Sequence, residues 1–269
     1  VDSVILELIQ NADDAKYDHA QRTSCTPYIT FTLFPDKVIV EYNEDGFTRD
    51  DVNRICDINN SNKGKDDIGE KGIGFKSVFM IASKVHIESR EYSFSFKYKE
   101  GDNTLQMFTP EYEAPKDHPN GCTRITLTLL EDQGIRSDAI RKFREVPTTL
   151  LLFLRHIKKL SIIEHLKDGT QSATCTSYEE SGEQGVLRKN DGLQPEKKFL
   201  IFSKFFPNVP TTGEKRKNPE AEVKLAFPLT PMNTPLIEMQ QDVFARLPIG
   251  STGVGLHVSL FFHDQIYNS

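Results

Sequence analysis

Ile68-Gly69-Glu70-Lys71-Gly72-Ile73-Gly74-Phe75-Lys76-Ser77-Val78-Phe79 is the stretch whose reading decides the fold. Its three glycines stand at G-x-x-G-x-G spacing directly ahead of an apolar run that suits a helix. Glycine here permits φ > 0 and lets a ligand reach the main chain without a Cβ in the way. Exposed N–H groups at the start of the following helix favour an anion, most simply a phosphate. On its own such a loop is as readily a plain turn as a phosphate cradle.

The pattern extends in both directions from the glycines. Upstream, Asn59 to Asp67 is too polar and too rich in asparagine and glycine for anything but a loop. Thr48, followed three residues later by Asp51, predicts a capped helix running to about Ile58. Tyr28 to Phe34 and Lys37 to Asn43 flank Pro35-Asp36 and predict a β-hairpin. At the start of the chain, Ile5, Leu8, Ala12 and Ala15 recur at helical spacing from Val4 to Lys16. Glu7, Asn11 and Asp14 then form a polar stripe on the border of that face. Such a stripe lines a pocket or, more commonly, faces water. The chain begins about one turn before Glu7, so this domain is expected to be incomplete at its N-terminus.

Downstream, a helix is expected from Phe75 to about Ala82. Strands follow at Lys84 to Arg90, Tyr92 to Lys99 and Thr123 to Leu130. Two helices, Ser137 to Val146 and Thr148 to Leu160, are divided by Pro147, which suits a first helical turn. Past Ser161 the character changes to short strands (Leu160 to Leu166, Phe199 to Phe205, Glu222 to Phe227, Val243 to Pro248) between proline- and glycine-rich loops. The expected division is 1–166 and 167–269. Gly255 to Ser269 offers no recognisable continuation of this region, and no internal repeat is visible.

Composition narrows the class. The chain has 269 residues, 37% hydrophobic and 27% charged, enough for a substantial core. No apolar run approaches the roughly 20 residues that cross a bilayer. Val1-Asp2-Ser3 leads into a helical pattern rather than a secretory signal. A net charge of −6 argues against a nucleic-acid partner held through phosphates. Cys25, Cys56, Cys122 and Cys175 form no C-x-x-C pair, which suits reduced thiols in a cytoplasmic or nuclear protein. H-E-x-x-H and G-x-S-x-G are both absent, so zinc-protease and serine-hydrolase readings lack support.

Three segments, in this order, resemble the boxes of the GHKL ATPases: Glu7-Leu8-Ile9-Gln10-Asn11-Ala12-Asp13-Asp14-Ala15, Asn43-Glu44-Asp45-Gly46-Phe47, and the glycine stretch. Within that superfamily the wording is similar to sacsin and to the NO VEIN-like proteins. The resemblance covers roughly Asp2 to Ile163. It implies an α+β Bergerat fold, a two-layer sandwich whose mixed, mostly antiparallel sheet is covered on one face by helices, followed by part of a transducer-like region. It implies ATP and magnesium as cofactors, slow hydrolysis and a chaperone-like cycle acting on protein clients or neighbouring domains, with no membrane partner.

Residue by residue, the resemblance makes Glu7 the general base and Asn11 the magnesium ligand. Asp14 and Ala15 line the nucleotide pocket. Gly69, Gly72, Ile73, Gly74 and Phe75 form the phosphate-binding lid, and Thr123 supports the adenine site. The middle box departs from the family's D-x-G-x-G. Gly46 survives, and counting back from it gives Tyr42 or Asn43 where the family has its adenine-binding aspartate. Asn43 could accept a hydrogen bond through its side-chain oxygen; Asp45 is the other candidate if the loop is shorter. The rival reading is a nucleotide-binding or protein-interaction module that does not hydrolyse. A kinase reading is weaker, because neither an HRD-like loop nor a DFG segment is present.

Overall fold

The computed structural model describes residues 1–56, 75, 77–97, 110–115, 121–190, 194–207, 220–236, 241–245, 247–252 and 257–263. They fall into two units, Val1–Val146 with Lys159–Cys175, and Pro147–Lys158 with Thr176–Ser269. The first is mixed α/β with a mostly antiparallel sheet and few helices; the second, among the described residues, is built of mostly antiparallel strands and one 3-10 turn.

In the first unit the hairpin forms as β1 (Tyr28–Leu33) and β2 (Lys37–Tyr42). Antiparallel neighbours β6 (Thr123–Leu129), β3 (Ala82–Ser89), β4 (Tyr92–Lys97) and β5 (Glu111–Tyr112) extend it on one side. On the other side β7 (Lys159–His165) joins β1 in parallel. Register sets the faces. Phe31 opposes Val40, Val40 opposes Ile125, Ile125 opposes Ile87, and Ile87 opposes Phe94, so these buried residues share one side. The other side is polar: Arg124 donates twice to Glu41, at 3.0 and 2.8 Å, and His86 lies 2.9 Å from Ser93 Oγ.

Helix α1 (Asp2–Asp13) buries Val4, Ile5, Leu8, Ile9 and Ala12, the 3.6-residue pattern read from the sequence. Short α2 (Asp18–Arg22) follows, and then α3 (Arg49–Cys56). Thr48 and Asp51 close a reciprocal capping box, with Thr48 N–H 2.8 Å from the Asp51 carboxylate and Asp51 N–H 3.3 Å from Thr48 Oγ1. Helix α4 (Gln133–Arg144) packs Phe143 edge-to-face on Phe31 with ring centroids 5.2 Å apart. It starts four residues before the expected Ser137, because Asp132 accepts from Ile135 N–H and caps it.

Two expected helices are corrected. Of the helix expected from Phe75 to Ala82, Phe75 is helical, Ser77–Met80 is a 3-10 turn, and Ala82 already pairs with Leu129, while Lys76 lies outside the described residues. Val78, Phe79 and Ile81 are β-branched or aromatic and weak in holding a helix against strand pairing. Thr148 to Leu160 shrinks to a 3-10 turn, Thr148–Leu152, capped by Pro147, while Lys159–His165 is drawn into parallel pairing with β1.

In the second unit, β8 (Gln171–Ser181, its first five residues in the first unit), β9 (Gln184–Lys189), β10 (Lys197–Phe206), β11 (Glu220–Leu229) and β14 (His257–His263) pair antiparallel in that order. β12 (Gln241–Ala245) runs parallel to β14 and antiparallel to β13 (Leu247–Thr252). Leu150, Leu151, Leu152, Tyr178, Leu187, Phe199 and Ile201 are buried in this unit. Among the described residues, no helix is long and apolar enough to cross a membrane.

Removing the Phe143 ring should leave a cavity against Phe31. Phe143→Ala is expected to destabilise the first unit by about 3–5 kcal/mol in urea unfolding. A loss below about 1 kcal/mol would mean that α4 does not anchor on β1.

Candidate functional site

The strand register brings one polar group per strand to the same end of the sheet. Thr123 opens β6, where it opposes Tyr42 at the end of β2 and Ser89 at the end of β3. Just past β2, Glu44 turns inward and is 7% exposed, while Thr123 and Ser89 are fully buried. A relay joins them. Phe47 N–H donates to Ser89 Oγ at 2.8 Å, Ser89 Oγ lies 2.5 Å from Thr123 Oγ1, and Thr123 Oγ1 donates to Glu44 Oε1 at 2.5 Å. Each hydroxyl donates once and accepts once, which fixes the direction of the chain. Gly46 N–H supplies Glu44 with a second donor. Burial pushes the Glu44 pKa up, and these two hydrogen bonds only partly offset it.

The other two residues of this box have structural partners. Asn43 accepts from Tyr28 N–H at 2.7 Å and donates to the Thr26 carbonyl at 3.2 Å, tying the entry of β1 to the exit of β2. Asp45 accepts from the N–H groups of Asp18 and His19 at 2.9 and 2.8 Å, capping α2. Its own N–H donates to the Lys16 carbonyl at 2.8 Å. Glu44, which nothing in its local sequence singles out, is therefore the buried carboxylate of this box. Taking Gly46 as the first glycine of D-x-G, rather than the second, puts Glu44 in the acid position.

The end of α1 meets this box. Tyr17 is buried and donates to the Ala12 carbonyl at 2.9 Å. Burial, then the charges of Asp13, Glu44 and Asp45, drive its pKa far up. One turn back, Asn11 Nδ2 donates to Glu7 Oε1 at 3.2 Å. Desolvation raises the Glu7 pKa, the Asn11 bond opposes the rise, and the Asp14 charge adds to it. A carboxylate shifted toward neutrality suits a proton acceptor, and the Asn11 amide oxygen points its lone pairs away from that bond. Asp14 caps the end of α1, and Ala15 N–H donates to the Ala12 carbonyl at 3.3 Å.

Phe75 is buried. Gly69, Gly72, Ile73 and Gly74 lie outside the described residues. Among the described residues no group of three or more His, Cys, Asp or Glu side chains is arranged to hold a metal ion. The site therefore offers one amide oxygen beside a carboxylate, a donor set that suits magnesium only where phosphate oxygens and water complete the shell. None of the four cysteines is in a disulfide, and burial pushes the Cys122 thiol up to about 11, which keeps it protonated.

Residues 1–96 match the Sacsin domain family model. The chain is 26% identical over 275 residues to Protein NO VEIN of Arabidopsis thaliana, an alignment covering 93% of this chain and 10% of that protein. It is 43% identical over 82 residues to the chaperone protein HtpG of Anaplasma phagocytophilum (strain HZ), covering 30% of this chain and 12% of the other. The chain thus spans 10% and 12% of the lengths of these relatives. Together the matches support the likeness to the sacsin and NO VEIN-like members of the GHKL superfamily, an ATPase-related module.

The buried Glu44 makes a signed prediction. A folded pKa above the unfolded value means that the contribution to stability is fully present below the unfolded pKa and is lost as pH rises through the folded one. Glu44→Gln cannot ionise, so its melting temperature relative to wild type should climb as pH rises from the ordinary carboxylate range toward neutrality and beyond. Parallel melting curves across that range would show that the Glu44 carboxyl titrates as if exposed.

Proposed function

We propose that the first unit is a GHKL-type nucleotide-binding domain of Bergerat architecture that takes magnesium-ATP and hydrolyses it slowly. The observation that carries this reading is the buried Thr123–Glu44 hydrogen bond at the ends of β6 and β2. A buried carboxylate acceptor beside a threonine suits the exocyclic amino group of adenine, a donor, and repels the carbonyl oxygen that guanine carries at the same place. Glu44 thereby fills the role left open when Asn43 and Asp45 are committed to backbone groups.

Asn11 would hold magnesium through its amide oxygen, and the ion when bound would neutralise phosphate charge. Glu7, next to it, would accept the proton of the attacking water. The backbone of Gly69, Gly72, Ile73 and Gly74 would cradle the phosphates, with Phe75 anchoring the end of that segment in the core. Asp14 and Ala15 would line the pocket at the end of α1. Residues 167–269 would begin a transducer-like region through which nucleotide state alters neighbouring domains or protein clients, in the cytoplasm or nucleus.

Binding without hydrolysis is the competing reading, favoured by the departure of the middle box from D-x-G-x-G. Titration of magnesium-ATP followed by phosphate-release assays on wild type and Glu7→Ala separates the two. Glu7→Ala should keep ATP affinity within a few-fold and lose about 10²–10⁴ in turnover. Equal turnover in the two proteins, with binding intact, would leave the binding module alone standing. Absence of ATP binding by the folded chain would remove both.

A further inference from the structure

A two-residue turn, Arg90-Glu91, joins the paired residues Ser89 and Tyr92 of β3 and β4. Arg90 sits there at φ 51°, in the left-handed region that such turns normally give to glycine or asparagine. Directly across from it Gly46 has φ 83°. The two are interlocked: a Cβ on Gly46 would collide with Arg90 Cγ and stand 2.7 Å from Arg90 Nε. The same Nε donates to the Asp45 carbonyl at 2.5 Å. An exposed arginine held in a disfavoured backbone conformation, with its stem pressed on a glycine, is not explained by core packing.

Its partners suggest a purpose. Asp45 and Gly46 are the two residues that follow Glu44, and Gly46 N–H is one of the donors that Glu44 accepts. The residue before Arg90, Ser89, is the middle of the relay that reaches Glu44 through Thr123. Arg90 therefore fastens the main chain on one side of Glu44 to the strand whose Ser89 holds the Thr123 donor on the other. We infer that Arg90 is a positioning residue, a clamp that holds Glu44 in the orientation in which its carboxylate selects adenine over guanine. This rests on the reading of the site as an ATP pocket, and deepens it. Because the Arg90 side chain is exposed, removing it opens no core cavity.

The test uses Arg90→Ala, which keeps the strained turn and loses the clamp, Arg90→Gly, which relieves both, and Arg90→Lys, which keeps charge without the planar fork. Dissociation constants for magnesium-ATP and magnesium-GTP are measured by calorimetry, and the Glu44 carboxyl is titrated by ¹³C NMR. Arg90→Ala and Arg90→Gly should each weaken ATP about tenfold, the loss expected from one misaligned hydrogen bond, with GTP little changed. Arg90→Lys should fall between them and wild type. In both truncations the Glu44 titration midpoint should move toward the ordinary carboxylate range. An unchanged ATP-to-GTP ratio together with an unchanged Glu44 midpoint, whatever happens to the melting temperature, would reduce Arg90 to a turn residue and overturn the inference. If the folded wild type binds neither nucleotide, the ATP reading fails separately. Adenine selection falls with it, and the Glu44 midpoint alone then shows whether Arg90 clamps that carboxylate.

Discussion

A carboxylate can be taken out of water only if donors are aimed at it, and Glu44 has two. Much of the first unit's geometry is organised around meeting that requirement. Thr123 reaches Glu44 because β6 lies between β2 and β3 in a register that sets Thr123 against Tyr42 and Ser89. Ser89 completes the relay because β3 ends where the chain must turn back into β4. A one-residue slip of β6 would point Thr123 to the opposite face and leave a buried charge with half its partners. The apolar register of Val40, Ile125 and Ile87 and the polar relay at the strand ends therefore enforce each other.

The same end of the sheet shows how neighbouring polar residues divide their work. Asn43, Glu44 and Asp45 are consecutive, yet one ties two strand ends, one is buried, and one caps a helix. Asp45 also receives the end of α1 through the Lys16 carbonyl. Helix α1 carries Glu7 and Asn11 on its half-buried border, so the corner that fixes the buried acid also fixes the end of the helix bearing these two residues. Two boxes some thirty residues apart in sequence are joined through main-chain groups, and this makes a short five-residue α2 worth capping.

Much of this was legible in the letters. The hairpin about Pro35-Asp36, the Thr48–Asp51 capping box and the amphipathic first helix follow from local periodicity and turn chemistry, which survive in the fold. What was not legible depended on distant pairing. Ala82 reads as the tail of a helix until β6 is available as a partner, and Lys159 and Leu160 read as the end of the helix from Thr148 until β1 pairs with them in parallel, whereas the strand expected at Leu160 to Leu166 is present as Lys159–His165. The polar strand Gln171–Ser181 shows no apolar alternation to betray it. Asp132 caps α4 ahead of the start that its apolar periodicity marks. At the site, Glu7, Asn11 and Thr123 stood out by spacing or by resemblance. Glu44 did not, because its burial and its Thr123 partner come from strands paired far apart in sequence.

The most direct measurement is a crystal structure of the chain with magnesium and a non-hydrolysable ATP analogue. The account predicts the adenine amino group within hydrogen-bonding distance of the Glu44 carboxylate and the Asn11 amide oxygen on the magnesium ion, at about 2.1 Å. An analogue bound with its base away from Glu44 and Thr123, or with its phosphates remote from α1, would contradict it.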